Sequence, residues 1–299
     1  MKIVVTGSLG HISKPLTKEL VQKGHSVTVI SSKVERKSEI EALGAKAAIG
    51  TMENVDFLST VFKQADIVYC MITNDSKDFL DPTFDLVEYY SRIGNNYKQA
   101  IELSGVKRVV YLSTNGAHTN KGNGNLHIHY NVENILRQLP ADVSLTFMRP
   151  GGFYYHLLSF IPAIKNQGVI TSNYGADDVV LWASPLDIAT AIAEEMEAPF
   201  ESVKIRYVVS EELSGNDVAG ILGVAIGKPD LKWELISDKQ VLDGMIKFGM
   251  NPNIAKGFVE MFSGIHSGEL YVEYYRNRPA LGKTKIKDFA KEFAAAYNK

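Results

Sequence analysis

The run from Met1 to Leu20, MKIVVTGSLGHISKPLTKEL, is the segment that most restricts what this chain can fold into. Ile3, Val4 and Val5 form an apolar run of the kind buried in a parallel sheet, Gly7 and Gly10 mark a sharp turn, and Pro15 to Leu20 has the apolar spacing of a helix. A strand, a glycine turn and a helix in that order bring backbone N–H groups and the positive end of a helix dipole to one point, where a phosphate binds. The spacing is Gly7-x-x-Gly10-x-x-Ser13, so serine stands where the usual fingerprint has its third glycine. A dinucleotide diphosphate on this turn is the functional expectation; a purely structural strand–helix connection is the alternative.

Apolar runs recur at Ile3–Val5, Val27–Ile30, Ala47–Ile49, Ile67–Ile72, Val109–Leu112 and Leu145–Met148, with helix-like spacing between several of them. That alternation predicts an α/β protein with a Rossmann-type doubly wound parallel sheet. Leu86 to Leu103 reads as a crossover helix, with Gly105 just past its end. Beyond Arg149 the alternation breaks, although Leu186–Met196 is helical in pattern and Ile205–Val209 has the character of one more strand. The expected organisation is a nucleotide-binding domain over residues 1–153, to which 181–209 returns. Residues 154–180 and 210–299 then form a smaller, interleaved α/β substrate-binding cap over the crevice.

With 45% apolar residues, 22% charged residues and a net charge of -2, the 299-residue chain has no bias towards nucleic acid or an anionic membrane. The single cysteine, Cys70, lies in an apolar run and is expected to pack as a small hydrophobe. It has no internal disulfide partner, and no leader or long apolar segment is evident, so a reducing cytoplasmic location is expected. His118, His127 and His129 lack the accompanying Cys, Asp or Glu cluster of a metal site, and no metal is expected. Ser113 lacks a Gly-x-Ser-x-Gly elbow.

At the end of the second strand, where an NAD-binding unit has an acidic residue for the ribose hydroxyls, this chain has Ser31, Ser32 and Lys33, with Arg36 close behind. Without a carboxylate to repel a 2′-phosphate and with two cations to attract one, NADP is favoured over NAD, and NADPH over NADH. The other reading of Lys33 and Arg36 is a solvated surface face. No tyrosine is followed four residues later by lysine, the pair that passes a proton in ordinary carbonyl reduction.

Thr6-Gly7-x-x-Gly10, Gly105 to Ser113 (GVKRVVYLS), His129-x-x-x-Glu133 and Thr146 to Phe153 (TFMRPGGF) together resemble the NmrA-like group of atypical short-chain dehydrogenases, from residue 1 to about Met196. Histidine rather than lysine at position 129 is similar to its quinone-reductase and triphenylmethane-dye-reductase branch. The resemblance implies that Gly7, Ser8, Leu9, Gly10, His11 and Ile12 surround the diphosphate and that Ile72, Thr73 and Asn74 run along the cofactor. It places Ser113, Thr114 and Asn115 after the fifth strand, puts Pro150, Gly151, Gly152 and Phe153 at the nicotinamide, and sets His129 on the substrate side. Ser13, and Gly50-Thr51 in place of a Gly-Asp pair, depart from the pattern.

An acceptor reduced without the Tyr–Lys pair has to be electrophilic enough to take hydride with little acid help. The leading expectation is hydride transfer from NADPH to a planar conjugated acceptor, such as a quinone or dye, held by Phe153, Tyr154, Tyr155 and Trp182. His129 and Asn115 are the candidate catalytic groups. Glu133 is expected to anchor its helix, and Tyr271, Tyr274 and Tyr275 to pack the C-terminal region. A different class of function fits the same residues: a non-catalytic NADP(H) sensor that changes its affinity for a protein partner. An isomerase or epimerase holding NAD is weaker for want of the Tyr–Lys pair and of an acidic end to the second strand. A homodimer is left open.

Overall fold

A computed structural model describes residues 1–199 and 201–299. Its main sheet is seven-stranded and entirely parallel. In chain order its strands are β1 (Lys2–Val5), β2 (Ser26–Ser31), β3 (Lys46–Ile49), β4 (Ile67–Cys70), β5 (Arg108–Leu112), β6 (Ser144–Pro150) and, after three strands of smaller sheets, β10 (Val203–Val208). Their spatial order is β10-β6-β5-β4-β1-β2-β3. The chain leaves β1 towards β2 on one side and β4 towards β5 on the other. The C-terminal ends of β1 and β4 therefore flank the crevice where doubly wound sheets bind ligands.

The central strands read as continuous apolar runs because both their faces are covered. One face packs under α3 (Val55–Phe62), α4 (Leu86–Ser104) and α5 (His127–Leu136), with Val68, Cys70, Tyr111 and Phe147 among its buried residues. The other face packs under α1 (Ser13–Gln22), α2 (Lys37–Ala42) and α7 (Pro185–Glu197), with Val5, Tyr69, Val110 and Met148 facing them. Cys70 is fully buried, and burial pushes its thiol up, so it packs as a hydrophobe. Local signals set the long crossover α4. Asp85 accepts from the Glu88 N–H at its start, and Gly105 takes the left-handed conformation at its end.

Two smaller sheets complete the molecule. β7 (Gly152–Phe153), β9 (Val179–Ala183) and β11 (Glu211–Ser214) form one, and β8 (Ile170–Ser172) pairs with β12 (Trp233–Leu235) in the other. Around them lie α6 (Ile161–Gln167), α8 (Gly215–Ala225), α9 (Asp238–Lys247), α10 (Pro252–His266), α11 (Val272–Arg276) and α12 (Ile286–Tyr297). Their core is aromatic, including Tyr154, Tyr174, Trp182, Trp233, Phe289 and Phe293. Among the described residues no helix is long and apolar enough to cross a membrane.

Candidate functional site

The crevice is built first from backbone. After β1 the chain turns at Gly7 with φ +84°, and Ser8 also takes a positive φ of +54°. Ser8 is held there by its N–H donating to the Ile30 carbonyl at 3.1 Å and its hydroxyl donating to Ser31 Oγ at 2.9 Å. A Cβ on Gly7 would lie 2.2 Å from Met71 Sδ and 2.6 Å from Ser13 Oγ, so only glycine fits where the loops after β1 and β4 meet. Those loops are joined directly by the Met71 N–H donating to Thr6 Oγ1 at 2.9 Å. Ser13, standing in for the third glycine, is fully buried, and its hydroxyl donates to the Thr6 carbonyl at 2.8 Å. Serine is therefore tolerated because its one polar group is satisfied inside the turn.

No side chain caps α1, and its first turn carries no acidic residue. The N–H groups of Leu9, His11 and Ile12 have no acceptor among the described residues. Unpaired donors at a helix start, beside a glycine cradle that a Cβ would fill, fit a diphosphate.

At the end of β2, Ser31 is buried and fixed by Ser8, while Ser32 and Lys33 are exposed just beyond it. Arg36 lies 3.4 Å from Glu39, which also pairs with Lys14 at 2.7 Å. Lys33 has no ion-pair partner among the described residues, so it is the cation of this group most open to a 2′-phosphate. After β4, Ile72 is buried, Thr73 is exposed and accepts from the Tyr89 hydroxyl through its carbonyl at 2.9 Å, and Asn74 donates to the Asp75 carbonyl at 3.1 Å.

At the other end, the loops after β5 and β6 are stitched together. The Ser113 N–H donates to the Met148 carbonyl at 2.8 Å, and the Asn115 N–H to the Pro150 carbonyl at 2.9 Å. Thr114 is half-buried. Asn115 is buried, donates to the Leu270 carbonyl at 3.3 Å and keeps its Oδ1 without a partner. A Cβ on Gly151 would come within 2.5 Å of the Leu181 carbonyl oxygen, so this turn too is specific for glycine. Beneath both loops, Arg149 and Glu133 form a buried bidentate pair at 2.9 and 2.7 Å, and the Ser113 hydroxyl donates to the same carboxylate at 2.6 Å. Ser113 thus spends its hydroxyl on Glu133. Arg149 was not singled out as a site residue from sequence; a lone charge in the apolar strand Leu145–Met148–Arg149–Pro150 was the available signal.

The aromatic residues divide. Phe153, Tyr155 and His156 cluster at the mouth of the crevice, with ring centroids 4.7 to 5.3 Å apart. Tyr155 also stacks on His11 of the glycine loop, 4.3 Å between centroids and 17° from parallel. Tyr154 and Trp182, expected alongside them, are instead 1% and 2% exposed in the core of the smaller sheets. The Tyr154 hydroxyl donates to Glu211 at 2.9 Å and the Thr284 carbonyl at 3.2 Å, which holds it away from the crevice. The split follows the end of β7: a 3-10 turn begins at Tyr154, and its bonds to Glu211 and Thr284 turn that side chain inward, while Phe153 and Tyr155 stay half-buried. Tyr271 and Tyr274 are buried, while Tyr275 is exposed at 47% and only edges Tyr274.

His129 sits in the first turn of α5, edge-on to Tyr90 with centroids 5.4 Å apart. Its Nδ1 lies 3.0 Å from the Tyr111 hydroxyl, and burial pushes that phenol well above its ordinary value. Burial also drives His129 down to about 4. His129 is therefore neutral at neutral pH, and because the Tyr111 phenol keeps its proton and has no other acceptor among the described residues, the bond is assigned as Tyr111 donating to Nδ1, with the imidazole proton on Nε2. His127 is engaged with the Gly124 carbonyl, and among the described residues no three His, Cys, Asp or Glu side chains gather as metal ligands.

A pH prediction follows. Unfolded histidine binds its proton near pH 6.5 but folded His129 only near 4, so this contribution to stability is full above about 6.5 and is lost as pH falls from there towards 4. His118 is shifted the same way by burial. Melting temperature is expected to decline across pH 6.5 to 5, less steeply in His129→Gln; identical slopes would remove His129 from the account.

A family model described as the NmrA-like family matches residues 1–277. An NAD(P)H azoreductase of Xenophilus azovorans is 24% identical over 99% of both chains. Among solved structures, the Citrobacter sp. triphenylmethane reductase complexed with NADP(H) superposes with a TM-score of 0.77 at 19% identity, covering 98% of this chain and 99% of that one. An NADPH-dependent quinone oxidoreductase from Escherichia coli does so with a TM-score of 0.76 at 17% identity, covering 97% and 98%.

Proposed function

The chain belongs to the NmrA-like family, and from that premise we propose that it is an NADPH-dependent reductase passing hydride to a planar, conjugated small-molecule acceptor. The observation that carries the reading is the run of unpaired N–H groups at Leu9, His11 and Ile12 over a Gly7 cradle, with an aromatic cluster that reaches the same loop through the Tyr155–His11 stack. The relatives named above include an azoreductase, a triphenylmethane reductase and a quinone oxidoreductase, whose names share conjugated acceptors.

When bound, a reduced nicotinamide nucleotide supplies the hydride. The residues of this chain orient and exclude water. The glycine loop and α1 would hold the diphosphate, Lys33 and Arg36 would attract the 2′-phosphate, and the loops Ser113–Asn115 and Pro150–Phe153 would line the nicotinamide side. Phe153, Tyr155 and His156 offer flat apolar surface to the acceptor. Tyr155 lies against His11, so a dinucleotide reaching the loop has to meet or displace it. His129, a neutral donor through Nε2, is placed to steady an acceptor oxygen or nitrogen rather than to deliver a proton from an imidazolium. Its low affinity for protons predicts a hydride-transfer rate that is flat from pH 6 to 8.

Stopped-flow loss of NADPH absorbance against a panel of quinones, azo compounds and cationic dyes is the test. Turnover is expected, with NADPH favoured over NADH and the preference reduced in Lys33→Ala. Saturable cofactor binding without turnover on any acceptor would overturn the reductase reading in favour of a sensor; tighter NADH binding would overturn the cofactor choice.

A further inference from the structure

We propose that Glu133 is a positioning residue for hydride transfer: one buried carboxylate locks the nicotinamide-flanking loops after β5 and β6 to the helix that carries His129. Its Oε1 accepts from the Ser113 hydroxyl at 2.6 Å and from Arg149 Nε at 2.9 Å, and its Oε2 accepts from Arg149 Nη2 at 2.7 Å. Ser113 directly precedes Thr114 and Asn115, and Arg149 directly precedes Pro150 to Phe153. Arg149 extends the lock, donating through Nη2 to the Ala117 carbonyl at 3.3 Å and through Nη1 to the Tyr207 hydroxyl of β10 at 3.1 Å. Glu133 is one helical turn after His129 on α5, so the rotation of that helix, and with it the angle of the imidazole, is set by the bonds Glu133 makes.

Glu133 is 2% exposed and all its side-chain hydrogen bonds go to Ser113 and Arg149, so it acts through them. Arg137, half out in solvent at 3.5 Å from Oε2, adds only a peripheral charge. An anchor needed for folding alone requires the ion pair but not the Ser113 bond. The Ser113 bond is what ties the β5 loop into the lock, and loop placement errors of an ångström are costly to hydride transfer.

The inference rests on the reductase reading, and its test separates the two. Glu133→Gln leaves a buried guanidinium with a weakened partner and is prone to misfold, so Ser113→Ala, which keeps the ion pair, is the deciding variant. In Ser113→Ala without cofactor, the His129 imidazole nitrogen resonances are expected to shift as α5 loosens. Per folded molecule, single-turnover hydride transfer is expected to fall about tenfold, with a larger isotope effect from 4-deuterated NADPH, while NADPH affinity stays within about threefold. Unchanged His129 resonances together with an unchanged rate would overturn the positioning role and leave the reductase reading intact. No hydride transfer by the wild-type protein would overturn the reductase reading and the positioning role with it.

Discussion

Gly7→Ala is expected to lower NADPH affinity by about 100-fold, while Gly105→Ala leaves it unchanged. Both glycines have positive φ, +84° and +73°, so both substitutions carry the backbone strain of an L-residue in the left-handed region, about 1 kcal/mol. What separates them is space. Nothing lies within 4 Å of a Cβ on Gly105, whereas one on Gly7 runs into Met71 Sδ at 2.2 Å and Ser13 Oγ at 2.6 Å. Met71 can swing its thioether aside, but Ser13 cannot retreat without breaking its bond to the Thr6 carbonyl. The turn must therefore open, and opening it moves the Leu9, His11 and Ile12 N–H groups that a diphosphate would use. Each tenfold loss of affinity corresponds to about 1.4 kcal/mol, and losing two well-aimed donors reaches roughly twice that. Calorimetric titration of both folded variants measures it; equal NADPH affinity in Gly7→Ala and wild type would remove the glycine loop from cofactor binding.

The doubly wound sheet could be read from sequence because its strands are buried on both faces, which leaves uninterrupted apolar runs such as Ile67–Cys70 and Val109–Leu112. The family resemblance could be read for a related reason: the glycine turns at Gly7 and Gly151 are demanded by contacts that no other residue fits. The smaller sheets left a fainter trace. β7 is two residues long and β8 and β12 three each, too short for a period to show, and their partners are distant in the chain. Aromatic residues misled for a physical reason, since Tyr and Trp serve equally as core and as slot. Only the paths of Glu211 and Thr284, far along the sequence, turn Tyr154 inward. The same blindness hid the His11–Tyr155 stack and the Tyr111–His129 bond. Each of these is a contact between segments that only the folded sheet edge brings together.

Arg149→Leu is expected to destabilise the fold by about 3–5 kcal/mol, because it leaves the Glu133 carboxylate buried with only the Ser113 hydroxyl and the half-exposed Arg137 at 3.5 Å as its support. The Tyr207 hydroxyl and the Ala117 carbonyl lose their guanidinium partner as well. At roughly 2–4 °C per kcal/mol for a chain of this order of size, the melting temperature should fall by about 10 °C. Glu133→Leu combined with Arg149→Leu removes both charges and should recover most of the stability, since a buried ion pair is worth little against apolar packing of similar volume. Hydride transfer should not recover with it, because the β5 and β6 loops have then lost the carboxylate they share. A double variant that regains stability and full transfer together would show that Arg149 and Glu133 serve only to neutralise each other.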